Sequence, residues 1–255
     1  VLGNEAADNA NQDRKMIYSD LNNLRKNSTD WQNEIFRLAP IQNYELGFSG
    51  GSESSKYFLS TNYFSQDGII LGSDYQKGNL RVNLDKKINA RLKIGTSVNM
   101  TYSVSHCVVT NYETAFASSI TSWALEMNPE LPGYNEDGTY VFENNTSKPA
   151  VGNPVQDANE YMQRTKSGRV LANIFGELDI YKGLGFRSSL GIDYFNIKDQ
   201  NFASKDIKRG ESNNGNASIG NAEGYIWVWE NTFKYNNTFA GKHVVDAVAG
   251  MTAQK

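Results

Sequence analysis

The sequence predicts an all-β fold: an antiparallel transmembrane β-barrel segment of about eight strands, with long outer loops that contain short helices. Three observations carry this. From Arg91 to Tyr102, polar Arg91, Lys93, Gly95, Ser97, Asn99 and Thr101 alternate with Leu92, Ile94, Thr96, Val98, Met100 and Tyr102. A two-residue period gives a strand two different environments, and about ten residues is what a tilted strand needs to cross a bilayer. Short joints between the expected strands alternate with longer ones, as in a barrel whose turns are short on one side of the membrane and long on the other. Finally, Tyr225, Trp227, Trp229, Phe233 and Tyr235 share one face of one strand, and such rings favour the boundary between lipid and water.

Taken in order, residues 1–40 are rich in Asn, Asp, Lys and Arg, with helical character around Met16–Leu24 and Trp31–Leu38, and read as an outer loop with short helices. The remainder, 41–255, reads as barrel strands. Strands are expected at 41–49 and 55–66 around Gly50–Ser54, and at 76–88 and 91–103 around Ile88–Ala90. A long loop at 104–165 holds a helix from Glu113 to Met127, an Asp137-Gly138 turn and Pro129, Pro132, Pro149 and Pro154. Connections of this length are usually functional or disordered. Strands return at 166–181 and 184–197 around Lys182-Gly183. A second long loop covers 198–224, and strands at 225–236 and 242–253 flank Ala240-Gly241.

Composition bounds the alternatives. The 255 residues contain 22 Gly, only 5 Pro, 14 Tyr, 12 Phe and 4 Trp, which suits strands and turns. Mean hydropathy is -0.56, and no apolar run approaches the roughly 18 residues of a membrane helix. Barrel strands are half polar, so this average excludes a helical membrane protein and leaves a barrel open. The net charge is -3, with cations scattered among carboxylates, which argues against nucleic acid as a partner. The single Cys107 makes no internal disulfide.

Catalytic signatures are missing: there is no Gly-x-Ser-x-Gly elbow, phosphate loop or His-Glu-x-x-His, so no enzyme, catalytic residue or cofactor is expected. His106 and His243 are the only histidines, and Cys107 beside His106 has no second Cys or His at ligand spacing, so no metal site is expected. Glu136 and Asp137 fit a hairpin turn better than a catalytic carboxylate pair. Ligand contact is the one role the loops can host, through Tyr112, Trp123, Tyr134 and Tyr140 in the 104–165 segment, since aromatic faces suit the apolar faces of sugar rings. The competing reading packs these rings against the barrel wall or a lid partner.

The blocks Thr29-Asp30-Trp31-Gln32-Asn33-Glu34-Ile35-Phe36-Arg37 with Ala39-Pro40, Ser49-Gly50-Gly51-Ser52-Glu53, Tyr63-Phe64-Ser65-Gln66-Asp67-Gly68, Gly72-Ser73-Asp74-Tyr75 and Arg81-Val82-Asn83-Leu84-Asp85 stand in an order and spacing that resemble the SusC/RagA family of TonB-linked outer-membrane transporters. Later blocks, Asn153-Pro154, Gly183 to Arg187, Gly191 to Tyr194 and Trp227 to Thr232, continue it. The resemblance implies a bacterial outer-membrane importer of glycans, oligosaccharides or peptides, surrounded by outer-membrane lipid, powered by the TonB complex and closed by a SusD-like surface lipoprotein. No plug domain or TonB-box segment is recognisable, so the chain is expected to supply early barrel strands. A secreted soluble β-sandwich that binds carbohydrate is the alternative, and a surface adhesin a third.

Overall fold

The computed structural model describes residues 28–110, 119–143 and 151–255. Eight strands form one sheet in sequential order, every neighbour antiparallel. They are β1 (Ile41–Gly51), β2 (Ser55–Asp67), β3 (Asp74–Lys87), β4 (Leu92–His106), β5 (Met162–Tyr181), β6 (Leu184–Ala203), β7 (Asn216–Phe239) and β8 (His243–Gln254). Among the described residues four short helices decorate one end: α1 (Trp31–Ile35), α2 (Ile120–Glu126), α3 (Pro154–Glu160) and α4 (Lys208–Glu211).

All eight expected strands are present, but the strands around the long loops run further than expected. β4 continues to His106 and β5 starts at Met162, trimming the 104–165 loop. The expected loop at 198–224 shrinks to 204–215, because β6 runs to Ala203 and β7 begins at Asn216. The polar, Asn- and Gly-rich residues there masked the strand signal: once a ladder supplies every backbone partner, strand needs no apolar side chains. Helix α2 covers only the last part of the expected 113–127 helix, 113–118 lying outside the described residues, as does the helical stretch at Met16–Leu24. Helix α1 ends at Ile35, short of Leu38.

The register sorts the side chains. Val82 faces Val98, Val98 faces Ala172, Ala172 faces Ile192 and Ile192 faces Trp227. One step toward the loops, the same face carries Leu46, Thr61, Leu80, Met100, Val170, Tyr194 and Tyr225. An apolar belt thus runs from β1 to β7, and Trp229 facing Ala253 carries it on to β8. Tyrosines 44, 63, 102, 194 and 225 edge it near the loops, and Tyr57, Phe186, Phe233 and Tyr235 edge it toward the tight turns, the Phe186 and Phe233 ring centroids 4.6 Å apart. Two bands of rings flanking an apolar zone are the girdles of an outer-membrane barrel.

The opposite face is polar. Across it Asn79 donates to Asn99, Ser97 to Asn83 and Asn62 to Asn43, while Arg169 pairs with Asp193, Arg187 with Glu177 and Lys93 with Asp85. Belt residues such as Leu46 (61 % exposed) and Phe48 (58 %) have nothing packed on them. No second sheet covers them among the described residues, which removes the β-sandwich alternative. Edge strands β1 and β8 each pair on one side only.

Two of the joints opposite the helices turn through positive φ: Gly183 at +79°, and Ala240 and Gly241 at +53° and +66°. With Val98 on the belt at mid-sheet, Val98→Arg in the full-length protein is expected to cost about 2–4 kcal/mol of folding into a bilayer. Asn99→Arg, on the polar face, is expected to cost far less. Equal folding free energies for the two variants in bilayer refolding titrations would contradict the assignment of faces.

Candidate functional site

The long connections fold together at one end of the sheet. Their core is Trp31 and Ile35 of α1, Ile120, Trp123 and Ala124 of α2, Val155 and Ala158 of α3, and Ile70, Met127 and Val151 from the loops. Each helix is too short to be stable alone. What fixes them is capping and packing. Asp30 caps α1 by accepting from Asn33 N, and Ser119 and Ser122 cap α2 reciprocally. Asn153 caps α3 by accepting from Val155 and Gln156 backbone N–H groups, with Pro154 in the first turn. The Asn153 amide also donates to the Gly133 and Val141 carbonyls, joining α3 to the 133–141 loop.

The block from Thr29 to Arg37 works as a clamp. Thr29 Oγ1 donates to the Leu131 carbonyl at 2.7 Å and Trp31 Nε1 to that of Asn128 at 3.0 Å. Arg37 donates to the carbonyls of Gly68 and Ser73, at 3.1 and 2.9 Å, and the Leu71 N–H donates to Ile35. The β2–β3 connection is thereby tied to α1. Gly72, with φ +78°, lies so close to α3 that a Cβ would meet the Ala158 carbonyl oxygen at 2.0 Å. A side chain there would push the connection off the helix.

A buried ion pair closes the cluster. Arg209 Nε in α4 contacts both Asp157 carboxylate oxygens at 2.7 and 2.8 Å, and its guanidinium lies over the rings of Trp123 and Tyr161 at 4.9 and 5.2 Å. Burial pushes the Asp157 carboxyl above the usual carboxylate range, with the Arg209 charge pulling the other way. The pair joins segments 52 residues apart, so it ties the β4–β5 and β6–β7 connections together.

Of the expected contact residues, Trp123 is 2 % exposed and packs in the core, with Gly152 against its ring. It therefore cannot meet a ligand at the surface, because its apolar ring is what α2 and Arg209 pack around. Tyr112 lies outside the described residues. Tyr134 and Tyr140 come together: they are bridge partners flanking the Asp137-Gly138 turn, ring centroids 5.1 Å apart, with Tyr134 45 % exposed. Asn159 donates to the Tyr140 hydroxyl at 3.2 Å, which holds this hairpin to α3. Thr139 donates to Asp137 through its hydroxyl and backbone N–H, holding that carboxyl below its ordinary range. Turn formation thus accounts for Asp137.

His106 Nδ1 lies 3.0 Å from Asp74, and no group of three potential metal ligands occurs among the described residues. Asp157 and Arg209 carry no signal of their pairing in the sequence. No local pattern links them, although Asn153-Pro154 was a readable helix start.

One sheet with an apolar belt, aromatic girdles and a polar opposite face is the wall of a transmembrane β-barrel. The comparisons agree. TonB-dependent receptor P3 of Formosa agariphila is 32% identical over 230 residues, covering 89% of this chain and 23% of that protein. TonB-dependent receptor SusC of Bacteroides thetaiotaomicron is 25% identical over 116 residues, 45% of this chain and 11% of the relative. No family model matches. Among solved structures, the RagAB peptide transporter superposes with a TM-score of 0.67 at 20% identity, over 89% of this chain and 27% of that one, and the RagAB peptide importer in its closed-closed state with 0.66 at the same identity and coverage. Over 89% of its length the chain is similar to TonB-dependent receptors of the bacterial outer membrane, and its fold is that of the RagAB transporters. It spans less than a quarter of the length of the curated relatives it matches, 23% for the receptor P3. These relatives are receptors rather than enzymes.

Breaking the buried pair should loosen the outer cluster. Asp157→Asn leaves a cation in the core and is expected to cost about 3 kcal/mol locally. Hydrogen exchange of the α2 and α3 amides should accelerate while that of β5 and β6 stays unchanged. Unaltered exchange in α2 would contradict a role for the pair in holding the cluster.

Proposed function

We propose that this chain forms part of the wall and outer rim of a TonB-dependent importer for glycans, oligosaccharides or peptides, with a SusD-like surface lipoprotein as its lid. The observation that carries the reading is the two-faced sheet: lipid solvates one side, while the other offers a ladder of amides and ion pairs to an aqueous passage. The helical cluster marks the end facing the cell exterior, since outer-membrane barrels keep their long loops there. In this reading residues 1–40 belong to that outer rim, 41–255 supply the strands, and coupling to TonB runs through parts of the receptor other than these residues. The names of the relatives support the class, and the RagAB structures support the fold.

Tyr134 and Tyr140 are the surface rings best placed for substrate or lid. They stand on a hairpin braced by α3, so their geometry costs little to hold on binding. In cells carrying the full-length receptor, Tyr134→Ala/Tyr140→Ala is expected to weaken substrate uptake about tenfold in half-saturating concentration, the size of one good aromatic contact or ~1.4 kcal/mol. Candidate oligosaccharides and peptides supplied as sole nutrient give the measurement. Growth that does not depend on the receptor with any of them would contradict the import reading. Unchanged half-saturation in the double variant would remove the ring pair from the site.

A further inference from the structure

The face that carries the apolar belt changes character beyond its loop-side tyrosines. There Lys166 of β5 stands directly opposite Lys198 of β6, between Val104 and Asn221 of the adjoining strands. One row further out, Arg164 faces His106 on one side and Gln200 on the other. Because the register is unbroken from Arg164 through Gly176, all these side chains share the face that carries Val170, Ala172 and Ile174. Two like charges directly opposite, with Cβ atoms about 5 Å apart, repel one another. Neither lysine has an ion pair among the described residues. The nearby carboxylates do not neutralise them. Asp74 is engaged by His106, and Glu223 lies one row lower on β7, opposite Asn196.

Arg164 adds an independent sign. Its Nη2 donates to Gln200 Oε1 at 2.8 Å, but its Nε is buried with no hydrogen-bond partner among the described residues. A buried guanidinium donor without an acceptor is costly. A basic pair facing itself, beside an arginine with an unused donor, is a site short of an anion.

Height identifies the anion. Lys198 is four residues beyond the girdle residue Tyr194 on β6, roughly 13 Å of strand, or about 9 Å of height at barrel tilt. That is just past the outer limit of the headgroup layer, about 5–8 Å deep on each side of the hydrocarbon, and lysine stems reach back into it. We propose that Arg164, Lys166 and Lys198 bind the phosphate of an anionic lipid in the outer leaflet. This rests on the reading that the helical end faces the cell exterior. The lipid chains would lie on the belt below, over Gly168 and Val170, and its phosphate would occupy the gap between the two ammonium groups. Gly168, with only the Tyr102 ring edge within 4 Å of where a Cβ would stand, leaves a shallow notch under the lysines.

The test uses the full-length receptor in phosphatidylethanolamine nanodiscs doped with lipid A carrying its phosphates, and native mass spectrometry to count the lipid A retained after gentle extraction. Lys166→Ala/Lys198→Ala is expected to retain about thirtyfold less, from the usual contribution of a basic residue near an anionic surface. Lipid A stripped of phosphate should be retained by neither protein. Arg164→Gln should give an intermediate loss, and heat-modifiable migration on gels reports that each variant is folded. Equal retention by the wild type and the folded double variant would overturn the proposal. So would release of lipid A by millimolar inorganic phosphate, which would mark a free-anion site. If Val98→Arg also folds without penalty, the barrel-wall reading itself falls. If that penalty is seen and retention is nonetheless equal, only the lipid site falls.

Discussion

The backbone of a strand inside a bilayer has no water to bond, so every N–H and C=O must find its partner on a neighbouring strand. This sheet is built on that constraint. Its ladders run unbroken from β1 to β8 apart from one shift between Asp179 and Tyr181, beside the tight Lys182-Gly183 turn. Once the ladder settles the backbone, each side chain has only two places to go. Alternation is then compulsory, and one slipped residue would move a whole belt into water and a row of amides and charges into lipid.

The polar face follows the same logic with a different solvent. Arg169 with Asp193, Arg187 with Glu177 and Lys93 with Asp85 pair across adjacent strands, and asparagines bond between them. Half-exposed pairs of this kind contribute modestly to stability. Their effect is to keep charges fixed along the passage, a surface that offers donors and acceptors to a polar solute. Phe58 and Phe175 lie on this face under Arg81, Lys93 and Arg187, so these two rings are covered by cations.

Legibility in the sequence followed the range of the forces. The period-two pattern from Arg91 to Tyr102 is local, and it placed β4 and its faces correctly. The tight turns at Lys182-Gly183 and Ala240-Gly241 were equally readable, because φ preference belongs to single residues. Strand ends at 198–203 and 216–224 escaped, since polar residues there are held by the ladder and give no hydropathy signal. The outer cluster was the least readable. Trp123 looks like a surface ring until Arg209, Gly152 and α2 close over it. Asp157 and Arg209 are joined by tertiary folding alone. Tyr134 and Tyr140, by contrast, flank a recognisable turn, and the turn brought them together.

The central claim is that one face of this sheet touches hydrocarbon and the other water, and single cysteines placed on successive β4 residues test it most directly. In the membrane-embedded full-length protein, fluorophores at Ile94→Cys and Val98→Cys should be quenched by lipid-borne quenchers and shielded from aqueous iodide. Those at Lys93→Cys and Asn99→Cys should show the reverse. Equal iodide quenching at all four positions would contradict the account.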